Sequence, residues 1–130
     1  MNENVGSIMT TNLITVGPSD TLQTVKEILV GRRIHHVPVV EDGKLVGLVS
    51  IDDLFKLNIN HSEYINTSVS SVMTKKLAKV ESGDKIGTAA EVFMEHLFHA
   101  LPVVDDGVLV GIVTSFDILK YEYNREYPNR

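Results

Sequence analysis

The chain of 130 residues is 43% hydrophobic and 22% charged, the balance of an ordinary folded protein large enough for one compact domain or two very small ones. Its formal charge of -5 supplies no basic footprint for nucleic acid, and the absence of cysteine excludes disulfides, zinc-thiolate sites and thiol nucleophiles. No apolar run approaches the ~20 residues of a membrane span, and Met1-Asn2-Glu3-Asn4 lacks the features of a signal peptide, so a cytoplasmic protein without membrane insertion is expected.

Residues 13–16 read as a short strand. Pro18-Ser19-Asp20 supplies a helix start, after which Leu22, Val25, Ile28 and Leu29 recur at helical spacing. Two apolar runs, residues 37–40 and 45–49, flank Asp42-Gly43, the signature of a tight hairpin. A short helix carrying Leu54 and Phe55 follows, and residues 58–68, polar and mixed, read as a linker. The series then recurs. Ile86, Ala89, Ala90, Phe93 and Leu97 share a helical face, Asp106-Gly107 repeats the turn, and Ile118 and Leu119 mark a last helix. Residues 121–130 read as a polar, tyrosine-bearing tail that frays or docks on a partner.

The recurrence is a duplication. An offset of 64 residues aligns 5–56 with 69–120 without a gap, and about two positions in five are identical. The shared blocks include Met9-Thr10 with Met73-Thr74, Pro38-Val39-Val40 with Pro102-Val103-Val104, and Leu45-Val46-Gly47 with Leu109-Val110-Gly111. The expected fold is α+β: two β-α-β-β-α repeats, about 5–57 and 69–120, packed on each other about a pseudo-twofold axis within one module.

Chemistry concentrates in Gly47-Leu48-Val49-Ser50-Ile51-Asp52-Asp53 and its echo Gly111-Ile112-Val113-Thr114-Ser115-Phe116-Asp117. Each places a hydroxyl and then a carboxylate at a strand-to-helix junction. One reading is a helix cap, since Ser-x-x-Asp and Thr-x-x-Asp are near capping boxes. The other is a binding site in which the hydroxyl stands near a phosphate at a helix N-terminus and the carboxylate accepts the two hydroxyls of a ribose. His96 and His99 are three apart and His35-His36 adjacent, but no carboxylate completes a metal set, and no Ser-His-Asp arrangement can be assembled. Neither a metal site nor an enzyme is expected.

The duplicated pattern of Met-Thr, an apolar helix, Val-Pro-Val-Val or Leu-Pro-Val-Val, Asp-Gly, Leu-Val-Gly and Gly-x-x-[Ser/Thr]-x-x-Asp resembles a tandem pair of CBS (cystathionine β-synthase) domains, a Bateman module. The resemblance implies two clefts for adenosine-containing ligands such as AMP, ADP, ATP or S-adenosylmethionine, with no required cofactor. It implies Asp53 and Asp117 as ribose binders, with Ser50 and Thr114 near the phosphates. Each cleft of the family is completed by the other repeat. For Asp117 this implies Asn12, Ile14, Ile34 and His35, with His99 and Ala100 beside Thr114; for Asp53 it implies Lys76, Ala78, Phe98 and His99, with His35 and His36 beside Ser50.

His36, Arg32 and Arg33 offer phosphate partners to the Asp53 cleft, whereas Ala100 offers none to the other; Asp52 opposes this by repelling a phosphate where repeat two has Phe116. The balance leans toward the Asp53 cleft as the tighter. The expected function is a non-enzymatic regulatory module that signals ligand occupancy to a partner protein and associates as a homodimer. The alternative is a dimeric scaffold with empty clefts.

Overall fold

The computed structural model describes residues 1–128; Asn129 and Arg130, the end of the expected tail, lie outside the described residues. In chain order the elements are α1 (Leu22–Arg32), β1 (His36–Glu41), β2 (Lys44–Ser50), α2 (Ile51–Leu57), α3 (His61–Tyr64), α4 (Ile86–His96), β3 (Ala100–Asp105), β4 (Val108–Thr114) and α5 (Ser115–Glu126). Single 3-10 turns at Val5–Ser7 and Val69–Ser71 open the two repeats. The result is the expected mixture of helices and antiparallel hairpins.

Compact units do not coincide with sequence repeats. One unit is Ile14–Leu77; the other joins Met1–Leu13 to Ala78–Arg130. Each repeat's leading segment is therefore built into the core of the other half. In the first unit Val69 is fully buried among Leu22, Val25, Leu29, Val37, Val39 and Val49. In the second, Val5 is fully buried among Ile86, Ala89, Phe93, Leu101, Val103 and Val113. Backbone hydrogen bonds fix both crossings in the same way. The Leu48 and Thr74 amides each donate to the other's carbonyl, at 3.0 and 2.9 Å, and Ile112 and Thr10 do likewise at 3.0 and 2.8 Å. The Val69 amide donates to the Asp20 carbonyl at 2.8 Å and the Val5 amide to that of Asp84 at 2.7 Å.

Both hairpins have the two-residue turn read from Asp-Gly. Asp42 and Gly43 take φ of 52° and 79°, Asp106 and Gly107 52° and 82°. Positive φ at both central residues is the type I′ geometry that matches strand twist, and glycine adopts it without steric cost. Past each turn the ladder slips by one residue, between Val39 and Val40 and between Val103 and Val104. The slip brings Gly47 and Gly111 opposite Val39 and Val103. A Cβ on Gly47 would stand 2.5 Å from Met73 Sδ, and one on Gly111 2.6 Å from Met9 Sδ, so both positions need glycine for close approach.

Five expectations are corrected. Residues 13–16 form no strand: only Val16 pairs, as an isolated parallel bridge to Val39, and Val80 does the same with Val103. Helix α1 starts from Thr21, whose side chain accepts the Thr24 amide, while Pro18-Ser19-Asp20 forms the preceding turn, with the Gly17 amide on Asp20. Leu97 does not extend the apolar face of α4. It is the left-handed cap that ends the helix, φ 54°, and is 80% exposed. The segment read as a polar tail is helical as far as Glu126, since Ile118 and Tyr121 pack into or against the second core. The linker, in turn, carries α3, whose Tyr64 is buried in the first core.

Candidate functional site

Two strand-to-helix junctions carry the candidate residues, and the physical reason they form is the same in each. Ser50 ends β2 in extended backbone and caps α2: its Oγ accepts the Asp53 amide at 3.2 Å, and Asp53 Oδ2 accepts the Ser50 amide at 2.8 Å. Thr114 and Asp117 repeat this at the start of α5, at 3.1 and 2.9 Å. Both are complete capping boxes, with Asp in the place usual for Glu or Gln.

The cap reading and the ligand reading are compatible. Each box uses one carboxylate oxygen; among the described residues, Oδ1 of Asp53 and of Asp117 has no hydrogen-bond partner, and both side chains are half-buried rather than sealed. The helix starts themselves offer less than the spacing suggests. The Ile51 amide donates to the His35 carbonyl at 2.9 Å and the Ser115 amide to that of His99 at 3.1 Å. With the box amides also engaged, at most one first-turn amide per junction, that of Asp52 or Phe116, remains for an anion.

The Ile14–Leu77 unit holds Ile14, Ile34, His35, His36, Ser50, Asp53 and Lys76. His36 stands across the ladder from Ser50, and His35 anchors the first turn of α2 through its carbonyl while its side chain is exposed. The other unit holds Asn12, Ala78, Phe98, His99, Ala100, Thr114 and Asp117. There Ala100 stands across from Thr114, His99 and Asn12 are exposed, and Ala78 packs against the core. The Phe98 ring is 41% exposed and stacks on His96, centroids 5.5 Å apart.

Residues missed by the sequence reading line an open cavity of about 320 Å³ beside Asp117: Ile8, Lys120, Tyr121, Asn124 and Arg125. All but Ile8 follow Asp117 at helical spacings of three, four, seven and eight, a signal lost by ending the helix near Lys120. The Tyr121 hydroxyl donates to the Glu3 carboxylate, which also meets the Met1 ammonium at 3.7 Å. This hydrogen bond holds the Glu3 carboxyl below its ordinary range and pushes the Tyr121 phenol up. Arg125 lies over the Tyr121 ring, 5.7 Å from its centroid, and pairs with Glu122 at 3.4 Å. No cluster of three metal-ligating side chains occurs among the described residues.

The sequence profile of the CBS domain matches twice, over residues 5–60 and 69–124. The chain belongs to the CBS-domain family. The pair is 31% identical to protein MJ1225 of Methanocaldococcus jannaschii, a match covering 92% of this chain but 47% of that protein, so the pair spans about half of this relative's length. Among solved structures it is similar to CBSX2, from Arabidopsis thaliana, in complex with AMP: TM-score 0.86 and 33% identity over 95% of this chain and 98% of the other. It is also similar to the CBS domain pair of protein MJ0100 in complex with 5′-methylthioadenosine and S-adenosyl-L-methionine, at TM-score 0.82 and 26% identity over 96% and 99%. CBS pairs are regulatory ligand-binding modules, generally without catalytic activity of their own. No described helix of this pair is long and apolar enough to cross a membrane.

Proposed function

We propose that this CBS pair is a non-enzymatic sensor of adenosine-containing ligands (AMP, ADP, ATP or S-adenosylmethionine) and transmits occupancy to a partner protein. The observation that carries the reading is the free Oδ1 on each cap carboxylate. A group whose second oxygen is tied to the backbone is held in one rotamer, ready to accept the two hydroxyls of a ribose at little further entropic cost. In this reading Asp53 works with Ser50, His35 and His36, and Asp117 with Thr114, His99 and Asn12. The adenosine compounds held by CBSX2 and MJ0100 support the ligand class. A ligand moves the partner's state only by its differential affinity for two conformations of the pair.

Calorimetric titration with the four ligands tests this. Wild type is expected to bind at least one saturably, and Asp53→Asn or Asp117→Asn to weaken one site by about ten- to a hundredfold, the worth of a charged hydrogen-bond partner. Asparagine keeps an oxygen for the box, so the unliganded melting temperature should hold. Absence of saturable heat with all four ligands would sink the reading and leave the alternative, a homodimeric interaction module with empty clefts. That alternative is favoured by the apolar side chains exposed on α2 and α5, with Phe55 75%, Phe116 66% and Leu119 65% exposed.

A further inference from the structure

The two cap carboxylates look equivalent in sequence, and both are followed three residues later by a lysine, Lys56 or Lys120. The helices beneath them are not equivalent. Helix α2 stops at Leu57, where Asn58 turns left-handed with φ 52°, so the chain leaves the helix one residue after Lys56. Helix α5 continues to Glu126 and carries Asn124 and Arg125 down from Asp117 and Lys120. These side chains, with Tyr121 and Ile8, line the open cavity beside Asp117.

We propose that this cavity is an anion subsite continuous with Asp117: a nucleoside polyphosphate whose ribose hydroxyls reach Asp117 Oδ1 lays its phosphate chain along α5, between Lys120 and Arg125. The proposal rests on the ribose reading of Asp117 and deepens it to a ligand class. At the helical rise of 1.5 Å per residue, Lys120 lies about 4.5 Å and Arg125 about 12 Å along the axis from Asp117, a span suited to more than one phosphate. A cavity near 320 Å³ is within the range of about 300–1,000 Å³ typical of small-molecule sites. Lys120 enters no ion pair among the described residues, and Arg125 has only Glu122 and the Tyr121 ring to leave. The bond from Tyr121 to Glu3 fixes the wall between the two cations. Asn124 supplies an uncharged donor at the same level.

The test compares ATP with adenosine in an Asp53→Asn background, in which the Asp53 site is weakened and the Asp117 site dominates the titration. The expected result is that ATP binds at least about tenfold more tightly than adenosine, and that Lys120→Gln with Arg125→Gln abolishes this preference while the adenosine affinity stays unchanged. Lys120→Arg with Arg125→Lys should retain it. Two results overturn the subsite while leaving the ribose reading intact: equal binding of ATP and adenosine before the change, or an undiminished ATP preference after it. If Asp117→Asn alters binding of neither ligand, the ribose reading fails first and the subsite with it. Both cations are exposed, so unliganded melting curves of the variants should match that of the parent.

Discussion

At the scale of the residue, the same carboxylate closes a helix and presents a free oxygen, and this dual employment decides which substitution is informative. Alanine at Asp53 or Asp117 removes the carboxylate half of a capping box along with the ligand contact, whereas asparagine separates the two. Glycine at 47 and 111 is a packing requirement of a different kind, because a methyl there meets methionine sulfur at 2.5 or 2.6 Å on a β-strand with a bulge beside it. Methionine is flexible, so the neighbour gives way in part. Gly111→Ala is expected to lower stability by roughly 1–3 kcal/mol in urea denaturation, the usual range for an overpacked core. An unchanged midpoint would mean that Met9 vacates its place without cost. The capping boxes and glycine turns were legible from the sequence because each is decided within four residues of chain.

Elements were legible where their signals are local and illegible where a partner decides them. Residues 13–16 carry strand-forming side chains, yet only Val16 finds a ladder partner, because the chain crosses at this point from one unit to the other. Leu97 carries a helical residue in helical register, but α4 has already ended at His96 and the turn claims it. The long α5 escaped detection because its second half is polar in composition and is held by Tyr121 on Glu3, a residue far away in sequence. One element-level difference between the repeats has a measurable acid signature. Ser82 donates its hydroxyl to Asp105 at 2.6 Å and its amide at 3.0 Å, binding the end of β3; repeat one has Pro18 and Glu41 there. The Ser82 hydroxyl, and then its amide, hold the Asp105 carboxyl below its ordinary range. A carboxyl whose folded pKa is depressed contributes stability above its unfolded pKa, about 3.9, and loses that contribution as pH falls through the folded value. Ser82→Ala should therefore lower stability at neutral pH and flatten its decline below about pH 4, as read by denaturation midpoints across that interval. A parallel displacement of the whole curve would show that the hydrogen bonds contribute without linkage to the proton.

For the whole molecule, the sequence repeat correctly signals two similar halves but misassigns their leading segments, since similarity records descent from one unit and says nothing of which copy a segment packs with. The two cores make the correction testable. Val5 opens repeat one yet is fully buried among residues of repeat two. Val5→Ala should cost on the order of 1.5–3 kcal/mol, the value of burying such a side chain. Hydrogen exchange should accelerate first at β3 and β4, with β1 and β2 less affected. The reverse order would place Val5 with its own repeat.

The exchanged leaders also bear on how such a protein can arise and be taken apart. A lone repeat cut at its sequence boundaries brings a leading segment whose valine belongs in another copy's core, and lacks the segment that would complete its own. Two free copies could each satisfy the deficit by trading leaders, in the manner of a domain-swapped dimer. Joining the copies in one chain turns that trade into an intramolecular event, governed by the effective concentration set by residues 58–68 instead of by protein concentration. The linker thus acts as the tether that makes reciprocal lending between the halves independent of dilution.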